Sequence, residues 1–127
     1  IAAQNGNFEI CKLIIENVDA KNPAANDGST PLHPACRQGY YDICRLIIEN
    51  VDDKNPLNFS NGFTPLHTAA SNGQFEICKL IIDNVDNTNP AANNGRTPLQ
   101  IAKGNGYFGA FKLIFYCICK YTKKMFK

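Results

Sequence analysis

The phrase EICKLIIENVD, at Glu9–Asp19, returns as DICRLIIENVD at Asp42–Asp52 and as EICKLIIDNVD at Glu76–Asp86. The steps are 33 and 34 residues, and a degenerate copy, GAFKLIFYCIC, begins 33 further on at Gly109. Two other markers keep the same period: Thr-Pro-Leu at Thr30, Thr64 and Thr97, and Asn-Pro at Asn22, Asn55 and Asn89. Three markers with one period mean one local structure built several times. That excludes most folds before any other property is considered.

Each unit reads as two short helices and a loop. Thr30 suits an N-cap and Pro31 the first helical position, where a missing amide proton costs nothing. Leu32, Ala35 and Cys36 give this helix an apolar side, and Gly39 ends it. A second helix begins near Tyr41; Ile43, Cys44, Leu46, Ile47 and Ile48 leave it almost no polar face, so it is expected to be buried between neighbours. The segment ENVDDKNPLNFSNG then reads as a turn-bearing loop. Neither helix reaches the roughly 12–15 residues that independent stability needs. The units therefore stack, as in a solenoid.

At this point the chain resembles the ankyrin repeat family, whose marks are a period of 33 and a phrase close to T-P-L-H-x-A. STPLHPACRQGYYDICRLII and FTPLHTAASNGQFEICKLII match well, RTPLQIAKGNGYFGAFKLIF less well. IAAQNGNFEICKLII looks like a unit without its TPLH, so the chain reads as about three and a half repeats, a fragment of a longer array. The resemblance implies an all-α solenoid of helix-turn-helix units with projecting loop or β-hairpin fingers. It also implies one domain, 1–127, with units at 1–29, 30–63, 64–96 and a degenerate 97–127.

His33 and His67 are the only histidines, and both stand in TPLH. By the resemblance each braces its cap threonine, Thr30 or Thr64, rather than acting as base or ligand. Gln100 takes the third position and still offers an amide donor and acceptor. Cys11, Cys44 and Cys78 share one repeat position, and units about 10 Å apart are too distant for a disulfide, which needs α-carbons within about 7 Å. Cys36 replaces a small core residue, and Cys117 and Cys119 form C-x-C without a partner pair, which argues against zinc. Reduced cysteines used as small hydrophobes place the chain in an intracellular, reducing compartment, the cytoplasm. Aligning IIENVDAKNP with the family puts valines where a left-handed glycine usually stands; Asn17, Asn50 and Asn84 are expected to take that conformation instead.

The net charge is +2, unevenly placed: Lys112–Lys127 holds five lysines and no acid, while the remainder holds 8 basic and 11 acidic residues, a net of −3. The opening IAAQNGNFEI lacks the basic start and apolar run of a signal peptide. No stretch approaches the roughly 20 apolar residues that cross a bilayer. Catalytic motifs of the G-x-S-x-G, P-loop and H-E-x-x-H kinds do not occur, and the Asn-Gly pairs are turn chemistry. The expected role is a non-enzymatic protein-protein interaction module without cofactor or metal. Its partner is a protein, not a small-molecule substrate or a nucleic acid, and no membrane is involved beyond a weak contact of the basic tail. The alternative is the ankyrin region of a larger enzyme, channel or toxin, serving assembly, targeting or autoinhibition.

The resemblance places the partner-facing positions on the loop tips and the exposed side of each first helix. They are Asn26, Asp27, Ser29, Pro34, Arg37 and Gln38 in one unit. In the next they are Asn58, Phe59, Ser60, Asn61, Phe63, Thr68, Ser71 and Asn72, and in the last Asn93, Asn94, Arg96, Gln100 and Lys103. The loop NPLNFSNGFTPLH is one residue longer than its counterparts and carries Leu57, Phe59 and Phe63. These either anchor a partner or fold back onto the neighbouring finger. In the last unit Phe111, Ile114, Phe115 and Ile118 are spread around the helix, so either a further unit covers this end or the tail is foreign to the array.

Overall fold

The computed structural model describes residues 28–125, with side chains to 120, together with the single helical position Lys12. Among these residues there are six α-helices and no strand. They are α1 (Leu32–Gln38), α2 (Tyr41–Asn50), α3 (Pro65–Ser71), α4 (Phe75–Ile82), α5 (Pro98–Gly104) and α6 (Phe108–Met125). Each odd-numbered helix packs on the even-numbered helix that follows it. The odd helices also form an inner layer, α1 on α3 and α3 on α5, and the even ones an outer layer, α2 on α4 and α4 on α6.

The repeated residues explain the repeated geometry. Thr64 and Thr97 are extended N-caps, each followed by proline at the first helical position. The Thr64 and Thr97 hydroxyls accept from the backbone amides of His67 and Gln100 (both 3.3 Å). In the first unit the helix starts one residue later, because the His33 amide donates to the Thr30 carbonyl (3.0 Å) and tightens the turn around Pro31. Gly39 closes α1 in the left-handed region (φ 80°), which costs a residue with a β-carbon roughly 1–2 kcal/mol.

The core lies between the layers. Leu32, Ala35 and Cys36 from α1 meet Ile43, Cys44, Ile47 and Ile48 from α2; Leu66, Ala69 and Ala70 with Ile77, Cys78 and Ile81 repeat the arrangement. Each fully buried isoleucine or leucine contributes roughly 1.5–3 kcal/mol against an exposed one. Among the described side chains of α6 only Ala110 and Ile114 are buried, while Phe111 stacks on Phe115 (centroids 5.8 Å apart) and Phe115 remains 50% exposed. Ile118 is half-buried and borders a depression formed with Asp86–Asn89, so one of the four apolar side chains is turned toward the preceding loop.

One expectation about the loops is overturned. Among the described residues every positive φ belongs to a glycine, and Val51 is extended (φ −127°). Asn50 and Asn84 are not left-handed; their side-chain amides donate back to the Leu46 and Leu80 carbonyls (2.7 and 2.8 Å). Each asparagine side chain bonds back to a carbonyl of the last helical turn, and the chain leaves that turn without a left-handed residue. Lys54 donates to the Ile48 and Val51 carbonyls, at 2.6 Å each. Asn17 lies outside the described residues, as does Cys11.

Candidate functional site

The two histidines are committed to the frame. Thr30 and Thr64 donate their backbone amides to Nδ1 of His33 (3.0 Å) and His67 (3.1 Å). An Nδ1 that accepts leaves the ring proton on Nε2, and this donates to the next finger: His33 to the Phe63 carbonyl (3.2 Å), His67 to the Arg96 carbonyl (3.0 Å). The bracing of the cap was legible in the sequence, but the bond to the following unit was not. Burial pushes both imidazoles below their ordinary value, outweighing the raising effect of the carbonyl bonds. Gln100 reproduces the intra-unit part with Oε1, which accepts from the Thr97 amide (3.1 Å).

The Asn-Pro asparagines have a role that sequence reasoning missed. Asn55 and Asn89 accept from the amides of Leu66 and Leu99 (3.0 and 3.2 Å), each two residues past the cap threonine. They seat the start of each inner helix against its own loop. Their fixed spacing of 11 and 10 residues from those leucines was the available signal.

The fingers, residues 58–63 and 91–96, are loops closed by backbone bonds, Asn58 to the Phe63 carbonyl (2.7 Å) and Ala92 to the Arg96 carbonyl (2.8 Å). They stack directly: the Asn93 amide donates to the Asn61 carbonyl (2.8 Å), and the Asn93 side chain reaches the Phe59 and Ser60 carbonyls (3.4 Å each). A β-carbon on Gly62 would sit 2.7 Å from the Asn93 nitrogen, so only glycine permits this approach. Phe63 stacks on the His67 ring (4.9 Å). Phe59 lies with one ring edge against Gly28 of the preceding finger and stays 66% exposed, so it both folds back and presents a surface.

Between fingers and inner helices runs a recess of about 230 Å³. It brings together Ser29, Arg37, Asn58, Asn61, Phe63, Thr68, Ser71 and Asn72, with His33 at its floor. Thr68 is buried and its hydroxyl donates to the Thr64 carbonyl, so it contributes shape more than bonding. The other candidates lie elsewhere. Pro34 is half-buried and Gln38 exposed on α1. Ser60, Asn93 and Asn94 are on the fingers, where the Asn94 carboxamide oxygen accepts from the Arg96 amide (3.0 Å). Gln100 and Lys103 are exposed on α5, where Lys103 stands six residues past its cap threonine. The same position holds fully buried Cys36 and Ala70 in the units before, so Lys103 marks the open end of the stack, not the recess. Asn26 and Asp27 lie outside the described residues.

A second depression, about 380 Å³, shares no residue with the first and is bordered by Asp52, Asp53, Asp86, Asn84 and Pro90. Among the described residues no group of His, Cys, Asp or Glu is arranged to hold a metal ion. Cys36, Cys44 and Cys78 are buried free thiols, with the Cys36 and Cys44 sulfurs 3.6 Å apart. Burial pushes Cys78 up to about 12 and Cys36 well above its usual value. Such thiols pack as core and are poor nucleophiles.

A family profile described as ankyrin repeats, in three copies, matches residues 1–58 and 49–125. The chain belongs to the ankyrin repeat family. Ankyrin repeats generally mediate protein-protein interactions. No curated protein matches the chain. The ankyrin stack has no helix among its described residues long and apolar enough to cross a membrane. The recess is therefore one of an ankyrin array, walled by stacked fingers and floored by inner helices whose histidines hold the two together.

Proposed function

We propose that residues 1–127 form one ankyrin array of four units that binds a protein partner in the finger-helix recess and catalyses no reaction. The carrying observation is the division of labour among polar side chains. The groups with chemistry to offer, His33 and His67, are buried and committed to backbone partners. Asn58, Asn61, Ser71 and Asn72 border open space on stacked, rigid supports. A surface fixed in shape before binding loses little entropy on association, which favours recognition over turnover. The buried thiols support a reducing, intracellular setting.

The test is affinity capture with the chain and with Ser71→Trp, which fills the recess from the last residue of α3, beside Glu76→Trp on the outer face. Proteins retained by the parent and by Glu76→Trp but lost with Ser71→Trp, at equal helical content, support the reading. A retained set indifferent to Ser71→Trp would contradict it.

A further inference from the structure

Arg37, in the recess, and Arg96, beyond it, make a charge pattern that the repeat itself does not require. Arg37, Ser71 and Gly104 occupy the same place in the three inner helices, seven residues past Thr30, Thr64 and Thr97. Gly104 has no side chain, and the Arg96 guanidinium reaches back from its finger into that vacancy, with Nη2 3.2 Å from where a β-carbon would stand. The inner helices thus present one row: the guanidinium of Arg37, the hydroxyl of Ser71, and the guanidinium of Arg96.

Both arginines are exposed, and neither is in an ion pair among the described residues; the pairs present there, Arg45–Glu49 and Lys79–Asp83, are on the outer layer. All seven acidic side chains among the described residues lie on α2 and α4 or in the segments just after them, 51–53 and 83–86. None borders the recess. Between the arginines, Asn61 and Asn72 each keep half of a side-chain amide free. The Asn61 oxygen accepts from the Phe63 amide and the Asn72 nitrogen donates to the Thr68 carbonyl, leaving the Asn61 amide nitrogen and the Asn72 amide oxygen for a partner.

We propose that this row binds an extended acidic segment of a protein partner, with one carboxylate on Arg37 and a second on Arg96. The inference rests on the recess being the binding site. Inner helices pack about 10 Å apart, so two steps separate the guanidinium groups by roughly 20 Å. An extended chain rises about 3.3 Å per residue, which sets the two acids about six residues apart. A nucleic-acid strand offers a phosphate every ~3.4 Å, far more often than two isolated cations can use.

The experiment is selection of displayed random 12-residue peptides on the 127-residue chain, on Arg37→Glu/Arg96→Glu, on the milder Arg37→Gln/Arg96→Gln, and on Ser71→Trp. Circular dichroism checks that each folds. Selected peptides should carry two acids about six apart, bind roughly tenfold or more weakly to the charge-reversed chain, and weaken with salt. Neutral or basic peptides lost only on Ser71→Trp would overturn the acidic-segment inference and leave the recess standing. Peptides indifferent to every variant would overturn both. A labelled oligonucleotide binding with the same arginine dependence, or arginine-dependent self-association in sedimentation, would assign the row to a nucleic acid or a second copy and overturn the inference.

Discussion

His67 Nε2 donates to the Arg96 carbonyl at 3.0 Å while His67 Nδ1 accepts from the Thr64 amide at 3.1 Å. One ring therefore joins the cap of its own helix to the finger of the next unit. His67→Ala removes both bonds and opens a cavity in a fully buried site. The expected loss is roughly 2–4 kcal/mol by urea unfolding. His67→Gln, which copies the Gln100 arrangement, should lose less than half of that. Equal losses would show that the ring's volume, not its bonds, is what matters.

The burial of both rings makes stability depend on pH. His33 and His67 titrate below their ordinary value because they are buried. The unfolded chain therefore takes up protons at higher pH than the folded one. Their contribution is complete above about 6.5 and is lost as pH falls from there through the folded value. The urea midpoint should drop between pH 7 and pH 5, and His33→Gln/His67→Gln should flatten that slope. An unchanged slope in the double variant would assign the loss to carboxylates instead.

Gly62 combines φ 73° with the closest approach between fingers. Gly62→Ala should cost about 1–2 kcal/mol from backbone strain alone, and more from the clash with Asn93. Amide exchange should speed up at Asn93, whose proton rests on Asn61. Gly95, with nothing near its β-carbon position, meets only the strain. Equal losses at both glycines would mean that the fingers do not stack.

Cysteine accessibility gives a third readout. Cys119 is exposed, while Cys36, Cys44 and Cys78 are fully buried. An aromatic disulfide reagent at pH 8 should modify Cys119 at once and these three only as fast as the protein opens. Rapid reaction of Cys36 or Cys44 would show a looser pair of first helices.

Much of this was readable from the period. Thr-Pro located the starts of α3 and α5 and missed that of α1 by one residue, and Gly39 marked a helix end, because each is decided within a few residues. The EIC/DIC helix, expected to be buried between neighbours, instead forms an outer layer with Asp42, Arg45, Glu49 and Asn50 exposed. What the sequence hid depends on neighbours. The left-handed asparagines failed because backbone analogy ignored the side-chain amides of Asn50 and Asn84, which bond four residues back. The family resemblance places Lys103 on the partner-facing side of its helix, and only the burial of Cys36 and Ala70 at the same repeat position shows that it lies on the stacking side, outside the recess. Arg96 reads as a finger residue, and its reach over Gly104 is a tertiary fact.

The recess itself is tested most directly by a photo-crosslinking amino acid placed at Ser71 and, separately, at Glu76. Ser71 lines the recess at the end of α3, and Glu76 is exposed on α4 five residues away in sequence. A protein crosslinked from position 71 and not from position 76 is the expected result. Crosslinking from position 76 alone would place the binding surface on the outer helices and contradict the account.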